Sequence, residues 1–318
     1  MRLIVHYDHP ETFIDIIEAR LPDAEIRCCT SYEALPAMLE AFEPQIIYGI
    51  RMHGTPGFPR AAILACPTLG WFSVGGSGTD HLAPWDPARL TVTNAAGVAA
   101  EEMAQYALGA ALWFSLGLPG FERDRRDRAW RTATVAGIDG ATVAIVGLGK
   151  TGQAVARRFK AMGCSTVGVR ANPAPTEAVD EVFGADRLVP ALGAADFVVV
   201  CVPLTDATRH LIDARAIAAM KPGAVLVDVS RGGVVDGAAL IGALRSGRLG
   251  GAALDVFETE PLPPESPFWT LDNVIVTPHC SSVYDGWERR SAEMFCDNAA
   301  RWLAGAPLDN VVDPTRGY

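Results

Sequence analysis

The 318-residue chain has no apolar run near the ~18 residues that a membrane-spanning helix needs. Its opening, MRLIVHYDHP, carries one basic residue and only a four-position apolar stretch, too short for the apolar region of a signal peptide. Cysteine is sparse: seven residues, an odd number, with no Cys-x-x-Cys pair. That excludes a disulfide framework and a zinc ribbon and suits a reducing, cytoplasmic setting. Cys28, Cys29 and Cys201 sit in apolar stretches and read as buried packing residues, whereas Cys280 adjoins a histidine. No Cys/His cluster has ligand spacing, so no metal is expected. Basic residues are also short, with 27 Lys and Arg against 37 Asp and Glu, a formal charge of −10. Such a field repels phosphates, so neither nucleic acid nor an anionic membrane is the expected partner. An anionic small molecule would need local cations, which makes isolated arginines in apolar or Gly-rich surroundings the residues to watch.

What is present is an alternation of short apolar runs with longer amphipathic segments. Leu3–Tyr7, Ile46–Gly49, Trp71–Val74 and Leu90–Thr93 read as strands, with helices at Thr12–Arg20 and Tyr32–Ala41. A second series follows at Thr142–Val146, Thr166–Val169, Phe197–Val202, Val225–Val229, Gly251–Leu254 and Val274–Thr277. Strands this apolar, separated by helices, predict parallel sheets covered on both faces, hence two successive α/β units. Glu101–Phe114 predicts a helix crossing into the second unit, and Trp287–Ala304 one returning to the first. The expected domains are 1–98 with 288–318, and 99–287.

The run TVAIVGLGKTGQAVARRFKAMG joins a strand to a helix through Gly147, Gly149 and Gly152. The first glycine allows the tight turn, the second lets a pyrophosphate approach the backbone, and the third removes bulk where helix meets strand. The helix N-terminus then faces the phosphates. Ala156 and Gly163 follow at spacings that suit close helix–strand packing. A dinucleotide site that takes NAD usually carries Asp or Glu about 20 residues on. Here the next strand runs into VGVRANPAP, placing Arg170 where a cation suits a 2′-phosphate. NADP is therefore favoured over NAD, with Asn172 as a further donor; a solvated loop arginine in an NAD enzyme is the alternative.

Three later segments each put a polar group just past a strand: Arg231 in VLVDVSRGGVVD, Glu260 in GAALDVFETEPLP and His279 in NVIVTPHCSS. In an open parallel sheet these carboxyl ends border the ligand crevice. With the GLGKTG turn, and with FSVGGSGTDHL and VTNAAGVAAEEMAQYAL in the first half, the chain resembles the D-isomer-specific 2-hydroxyacid dehydrogenase family along essentially its whole length. The resemblance implies two Rossmann-like and flavodoxin-like parallel-sheet domains with the active site in the cleft between them. It implies an NAD(P)-dependent oxidoreductase acting on a small 2-oxo or 2-hydroxy acid of the D series, glyoxylate/hydroxypyruvate reductase-like.

On that footing His279 is the acid/base, Glu260 its partner and Arg231 the substrate anchor. The chemistry agrees: a 2-oxo acid needs hydride at carbon and a proton at oxygen. A histidine supplies that proton near neutral pH, and a neighbouring carboxylate stabilises its charged form. Arg231 grips a carboxylate with a planar fork and polarises the keto oxygen. The loop Gly75–Gly78 offers backbone N–H groups to the same carboxylate around Ser77 and Gly78. Further cofactor contacts are implied at Lys150, Thr151, Val202, Pro203, Thr208, Val229, Ser230 and Asp255, the last toward the nicotinamide amide or the Arg231 region. His6, His9, His53, His81 and His210 lack the strand-end setting with a Glu partner and read as structural or pocket-lining.

A homodimer through the Glu101–Arg131 region is also implied. Departures from the family pattern are Ala100, where many relatives carry Thr, and Cys280–Ser281 after the histidine. Ile50–Phe58 gives no size signature for the substrate. Two other readings use the same scaffold. Formate oxidation would replace the carboxylate partner by an amide, which Glu260 is not. A cofactor-sensing corepressor would keep all three residues, but the chain has no basic or disordered interaction tail.

Overall fold

All pairings between the strands of the computed structural model are parallel among the described residues, 1–52 and 55–316. His53 and Gly54, within Ile50–Phe58, lie outside them. The chain forms two units, Met1–Val98 with Asp285–Tyr318, and Ala99–Tyr284. The first holds β1 (Arg2–His6), β2 (Glu25–Cys29), β3 (Ile46–Gly49), β4 (Trp71–Val74) and β5 (Thr91–Asn94), in the order β2-β1-β3-β4-β5. The second holds β6 (Thr142–Val146), β7 (Ser165–Val169), β8 (Glu181–Phe183), β9 (Phe197–Val200), β10 (Val225–Asp228), β11 (Gly251–Leu254) and β12 (Val274–Val276), in the order β12-β11-β10-β9-β6-β7-β8. These are the flavodoxin-like and dinucleotide-binding orders, whose sense reverses at β1/β3 and at β6/β9.

Burial explains which strands form where. β3, β4, β9, β10 and β11 are buried at every residue, as strands covered on both faces must be. In the first unit the helix Trp287–Leu303 closes one face of the sheet. Phe295 stacks on Tyr48 at 4.7 Å and on Trp71 at 5.3 Å, and Trp302 stacks on Trp71 at 5.6 Å. Each buried aromatic of this kind contributes about 1.5–3 kcal/mol by burial alone. In the second unit Ala104, Ala107 and Ala111 are fully buried on the helix Ala100–Ser115, which packs on the helix Lys150–Ala161. Small side chains set that close approach.

Several elements differ from the sequence expectation. The stretch expected as one helix over Thr12–Arg20 is a 3₁₀ turn, Pro10–Thr12, then a helix, Ile14–Arg20, broken at Phe13, whose φ of −150° is not helical. The next helix starts at Leu35, after a turn in which the Ser31 hydroxyl accepts from the Ala34 N–H at 3.2 Å. β2 and β8 were not foreseen. Both are sheet edges, mostly exposed or half-buried, and carry no long apolar run. Cys28 lies on β2 and is exposed, not buried; Cys29 is buried and the Cys201 thiol is enclosed.

Candidate active site

The glycine turn follows β6 at the point where the strand order reverses. Gly147 has φ +98°, and a Cβ there would lie 2.8 Å from the Cys201 carbonyl oxygen, so both conformation and space demand glycine. A Cβ on Gly152 would lie 1.9 Å from the Gly147 carbonyl oxygen. Gly149 is exposed and has nothing within 4 Å of its Cβ position, leaving open the approach that a pyrophosphate would use. The helix Lys150–Ala161 begins there with no side-chain cap, so its leading N–H groups face outward. Lys150 is exposed, and the Thr151 hydroxyl lies 3.8 Å from the Met103 sulfur. Gly163 has a different role from the expected helix–strand packing. With φ +83° it ends this helix in the left-handed region, where Asp139 crowds its Cβ position.

Arg170 follows β7 directly. Its N–H donates to the Phe183 carbonyl at 3.1 Å, and its half-buried guanidinium has no hydrogen-bond or ionic partner among the described residues. Arg187, which the sequence reading passed over, lies with its guanidinium 5.0 Å above the Phe183 ring. The signal was the i, i+4 spacing of the two residues. Asn172 is exposed in the following loop.

At the ends of β10, β11 and β12 the structure assembles the remaining residues. His279 Nδ1 lies 2.8 Å from Glu260 Oε2, and the histidine side chain is 17% exposed. The other Glu260 oxygen, Oε1, accepts the Phe257 N–H at 3.0 Å. Burial disfavours ionisation of Glu260, but the bonds from His279 and Phe257 and the charges of His279 and Arg231 outweigh it. The carboxyl is held below its ordinary value. His279 sits at φ +53°, its N–H shared between the carbonyls of Asp255 and Thr277.

Asp255 builds this loop. Buried at the end of β11, it accepts from the Thr277 hydroxyl at 2.6 Å and from the Cys280 and Ser281 N–H groups at 2.9 Å each. Tyr106 in turn donates to Thr277 at 2.8 Å, since the threonine proton is committed to Asp255. Asp255, expected toward the nicotinamide amide or the Arg231 region, holds the chain on both sides of His279 through the Thr277 hydroxyl and the Cys280 and Ser281 N–H groups. The Cys280 thiol is pushed up by burial and by Asp255, which keeps it a poor nucleophile.

Arg231 is brought beside this pair by close backbone packing. A Cβ on Gly232 would lie 1.9 Å from the Phe257 carbonyl oxygen, so the turn after β10 lies directly against the turn carrying Glu260. Arg231 Nη1 donates to the Ser230 carbonyl at 2.8 Å.

Two other residues expected to contact the cofactor make side-chain bonds within the protein. The Thr208 hydroxyl donates to the Pro203 carbonyl at 2.6 Å and accepts from the Thr205 N–H at 2.8 Å, closing the turn after β9. Ser230 is buried and its hydroxyl donates to Asp228. Val202 and Pro203 are partly exposed, and Val229 is buried.

In the smaller unit, Ser77 is exposed and Gly78 half-buried on the loop after β4. That loop is anchored by Asn94 Nδ2 donating to the Ser77 carbonyl at 2.7 Å and by the Ser291 hydroxyl donating to the Gly75 carbonyl at 2.7 Å. His6 is buried, with Nδ1 2.9 Å from the Cys29 carbonyl. His81 meets the Phe58 ring edge-on. Besides His279, His9 meets Glu11 at 3.1 Å and His210 meets Glu258 at 2.7 Å. Glu258 shares its turn with Glu260, a pairing across 48 positions that the sequence did not reveal.

Residues 108–281 match the D-isomer specific 2-hydroxyacid dehydrogenase family, NAD binding domain. The chain is 38% identical over 235 residues to a glyoxylate reductase of Korarchaeum cryptofilum, covering 70% of this chain and 69% of that one. Among solved structures it resembles a D-isomer specific 2-hydroxyacid dehydrogenase of Xanthobacter autotrophicus in complex with NADPH. That structure has a TM-score of 0.87 and 33% identity, over 99% of both chains. It also resembles the NADPH-dependent glyoxylate/hydroxypyruvate reductase of Sinorhizobium meliloti in complex with NADP and sulfate. There the TM-score is 0.84 and the identity 29%, over 100% of this chain and 99% of that one. The match spans 59% of an uncharacterized protein of Corynebacterium melassecola and only 43% and 48% of two longer D-3-phosphoglycerate dehydrogenases. The chain belongs to the D-isomer-specific 2-hydroxyacid dehydrogenase family, oxidoreductases that use NAD(P). Among the described residues, no helix is long and apolar enough to cross a membrane.

Proposed function

We propose that this protein reduces a small 2-oxo acid to the D-2-hydroxy acid with NADPH, in the manner of a glyoxylate/hydroxypyruvate reductase. The observation that carries the reading is the 2.8 Å His279–Glu260 pair at the sheet's carboxyl ends, with Arg231 within electrostatic reach of Glu260. His279 gives the proton to the carbonyl oxygen, Glu260 stabilises the imidazolium, and Arg231 binds the substrate carboxylate. Unit 99–284 binds the dinucleotide on the Gly147–Gly152 turn, and the cofactor supplies the hydride. The Ser77–Gly78 loop offers backbone N–H groups to the substrate carboxylate. The protein acts as a homodimer through the region 101–131, where the helix Leu118–Arg126 buries no residue and Trp130 is 98% exposed. Its seven free thiols suit the cytoplasm. NADPH oxidation measured with glyoxylate, hydroxypyruvate, pyruvate, phenylpyruvate and a branched 2-oxo acid tests the reading; turnover of none would sink it.

Glu260→Gln removes the negative charge that stabilises a positive charge on the imidazole. The alkaline limb of the pH–rate profile for reduction moves to lower pH, with a milder loss of rate than removal of His279. An unmoved limb would uncouple Glu260 from the histidine.

NADP preference rests on Arg170. Each charge-assisted hydrogen bond to a 2′-phosphate is worth roughly 1.5–3 kcal/mol, or about ten- to hundredfold in favour of NADPH. Arg170→Asp cuts kcat/KM for NADPH by that factor and leaves NADH use intact or improved. Equal loss with both cofactors, or a native preference for NADH, would make the arginine an ordinary loop residue.

A further inference from the structure

Behind the reactive groups stand two buried acids at the tips of adjacent strands. Asp255 directly follows β11 and holds the His279 loop. Asp228 ends β10, is 2% exposed, and the Asp255 N–H donates to its backbone carbonyl at 3.1 Å. The Asp228 carboxyl turns onto its own chain: Oδ1 accepts the Ser230 N–H at 3.0 Å and the Ser230 hydroxyl as well. This two-residue loop is an Asx turn, and it aims the chain into Arg231 and the left-handed Gly233, φ +88°. Arg231 folds back on the same turn through its bond to the Ser230 carbonyl. Oδ2 of Asp228 has no hydrogen-bond partner among the described residues. Nothing in the expected chemistry uses this acid.

Resting on the assignment of Arg231 as substrate anchor, we propose that Asp228 is a positioning residue: its carboxyl shapes the Ser230 turn that aims Arg231, and its protonation state sets how tightly Arg231 holds an anionic substrate. The charged and titratable groups that reach it are Arg231 on its own turn, Asp255 from β11, Cys201 from the end of β9 and Tyr106 from the helix Ala100–Ser115. Cys201 and Tyr106 are both pushed up by burial and stay neutral. Among the described residues Arg231 is the cation whose charge reaches Asp228. Burial first, and then Asp255, raise the Asp228 carboxyl to about 7 against the pull of Ser230 and Arg231. Below that pH Asp228 is a neutral acid that still accepts from Ser230. Above it, Asp228 is a second anion competing with the substrate for Arg231.

Asp228→Asn keeps the Oδ1 acceptor and cannot ionise; Asp228→Ala removes the turn. At pH 6 the KM of the Asn variant for a 2-oxo acid stays within about twofold of native, and at pH 8.5 it is several-fold lower. The Ala variant raises KM about tenfold at both pH values with kcat changed far less. A readout independent of activity is thermal stability. The folded value lies above the ordinary 3.8, so the unfolded chain gives up this proton first. The native protein's stability therefore falls between about pH 4 and 7 on account of this group, and above pH 7 that contribution is absent. The Tm of the Asn variant exceeds native above pH 7, and the gap closes toward pH 4. An Asn variant that tracks the native protein in both KM and Tm at every pH overturns the proposal, as does an Ala variant with native KM. A native protein that turns over no 2-oxo acid, with the Tm gap present, overturns the anchor reading alone.

Discussion

His279→Asn lowers kcat for a 2-oxo acid by roughly 10²–10⁴-fold, the usual worth of one positioned acid/base. The substitution is chosen for the backbone as much as for the chemistry. Position 279 sits at φ +53°, a region that asparagine tolerates better than most residues, so the loop built on Asp255 survives. The amide has no proton to give at neutral pH, and its loss is confined to the chemical step. Steady-state kinetics read against NADPH affinity, measured by nucleotide fluorescence, separate the two effects: kcat falls while the dissociation constant for NADPH holds. Near-native turnover would remove His279 from the mechanism.

Gly232→Ala has the next largest consequence, and it acts on geometry alone. The added methyl would lie 1.9 Å from the Phe257 oxygen and 2.1 Å from its carbonyl carbon, both backbone atoms that no rotamer change can move. One of the two turns must shift, and Arg231 rides on one while Glu260 rides on the other. A displacement of about 1 Å between positioned groups costs on the order of 100-fold in rate. The expected result is a fall of that size in kcat/KM, with stability reduced by roughly 1–3 kcal/mol, as for other overpacked sites. Kinetics and a melting curve check it together. A variant with native kcat/KM would show that the two turns need not touch.

How much of this was legible in the sequence follows from how each residue earns its place. β3, β4, β6 and β11 could be read to the residue because a strand covered on both faces is apolar at nearly every position. β2, with the residues Glu-Ile-Arg-Cys-Cys, and the three-residue β8 could not, since an edge strand is defined by its neighbour and not by its own composition. Gly147 and Gly152 declared themselves through spacing, whereas Gly163 was misread because a glycine that ends a helix resembles one that packs against a strand. His279, Glu260 and Arg231 stand past strand ends and were visible as such. The internal bonds of Asp255 and Thr208 could not be read, because their partners, Cys280, Ser281, Thr277 and Pro203, are backbone and hydroxyl groups that only folding brings within reach. Asp228 drew no notice in the sequence for the same reason. The His210–Glu258 contact, between loops on either side of the Arg231 turn, was equally hidden.

The smaller unit is discontinuous, and that imposes an order on its making. Its sheet strands all emerge within the first 94 residues, yet the rings of Tyr48 and Trp71 are covered by Phe295 and Trp302. On the ribosome Tyr48 has Phe13 and Trp71 has Thr93 from the start, but neither ring meets its C-terminal partners until the entire second unit has been translated. Until then that face of the N-terminal sheet lacks the aromatic cover of its closing helix, while the unit that begins at Ala99 is already complete in sequence. The half of the protein made first is therefore the half that is finished last.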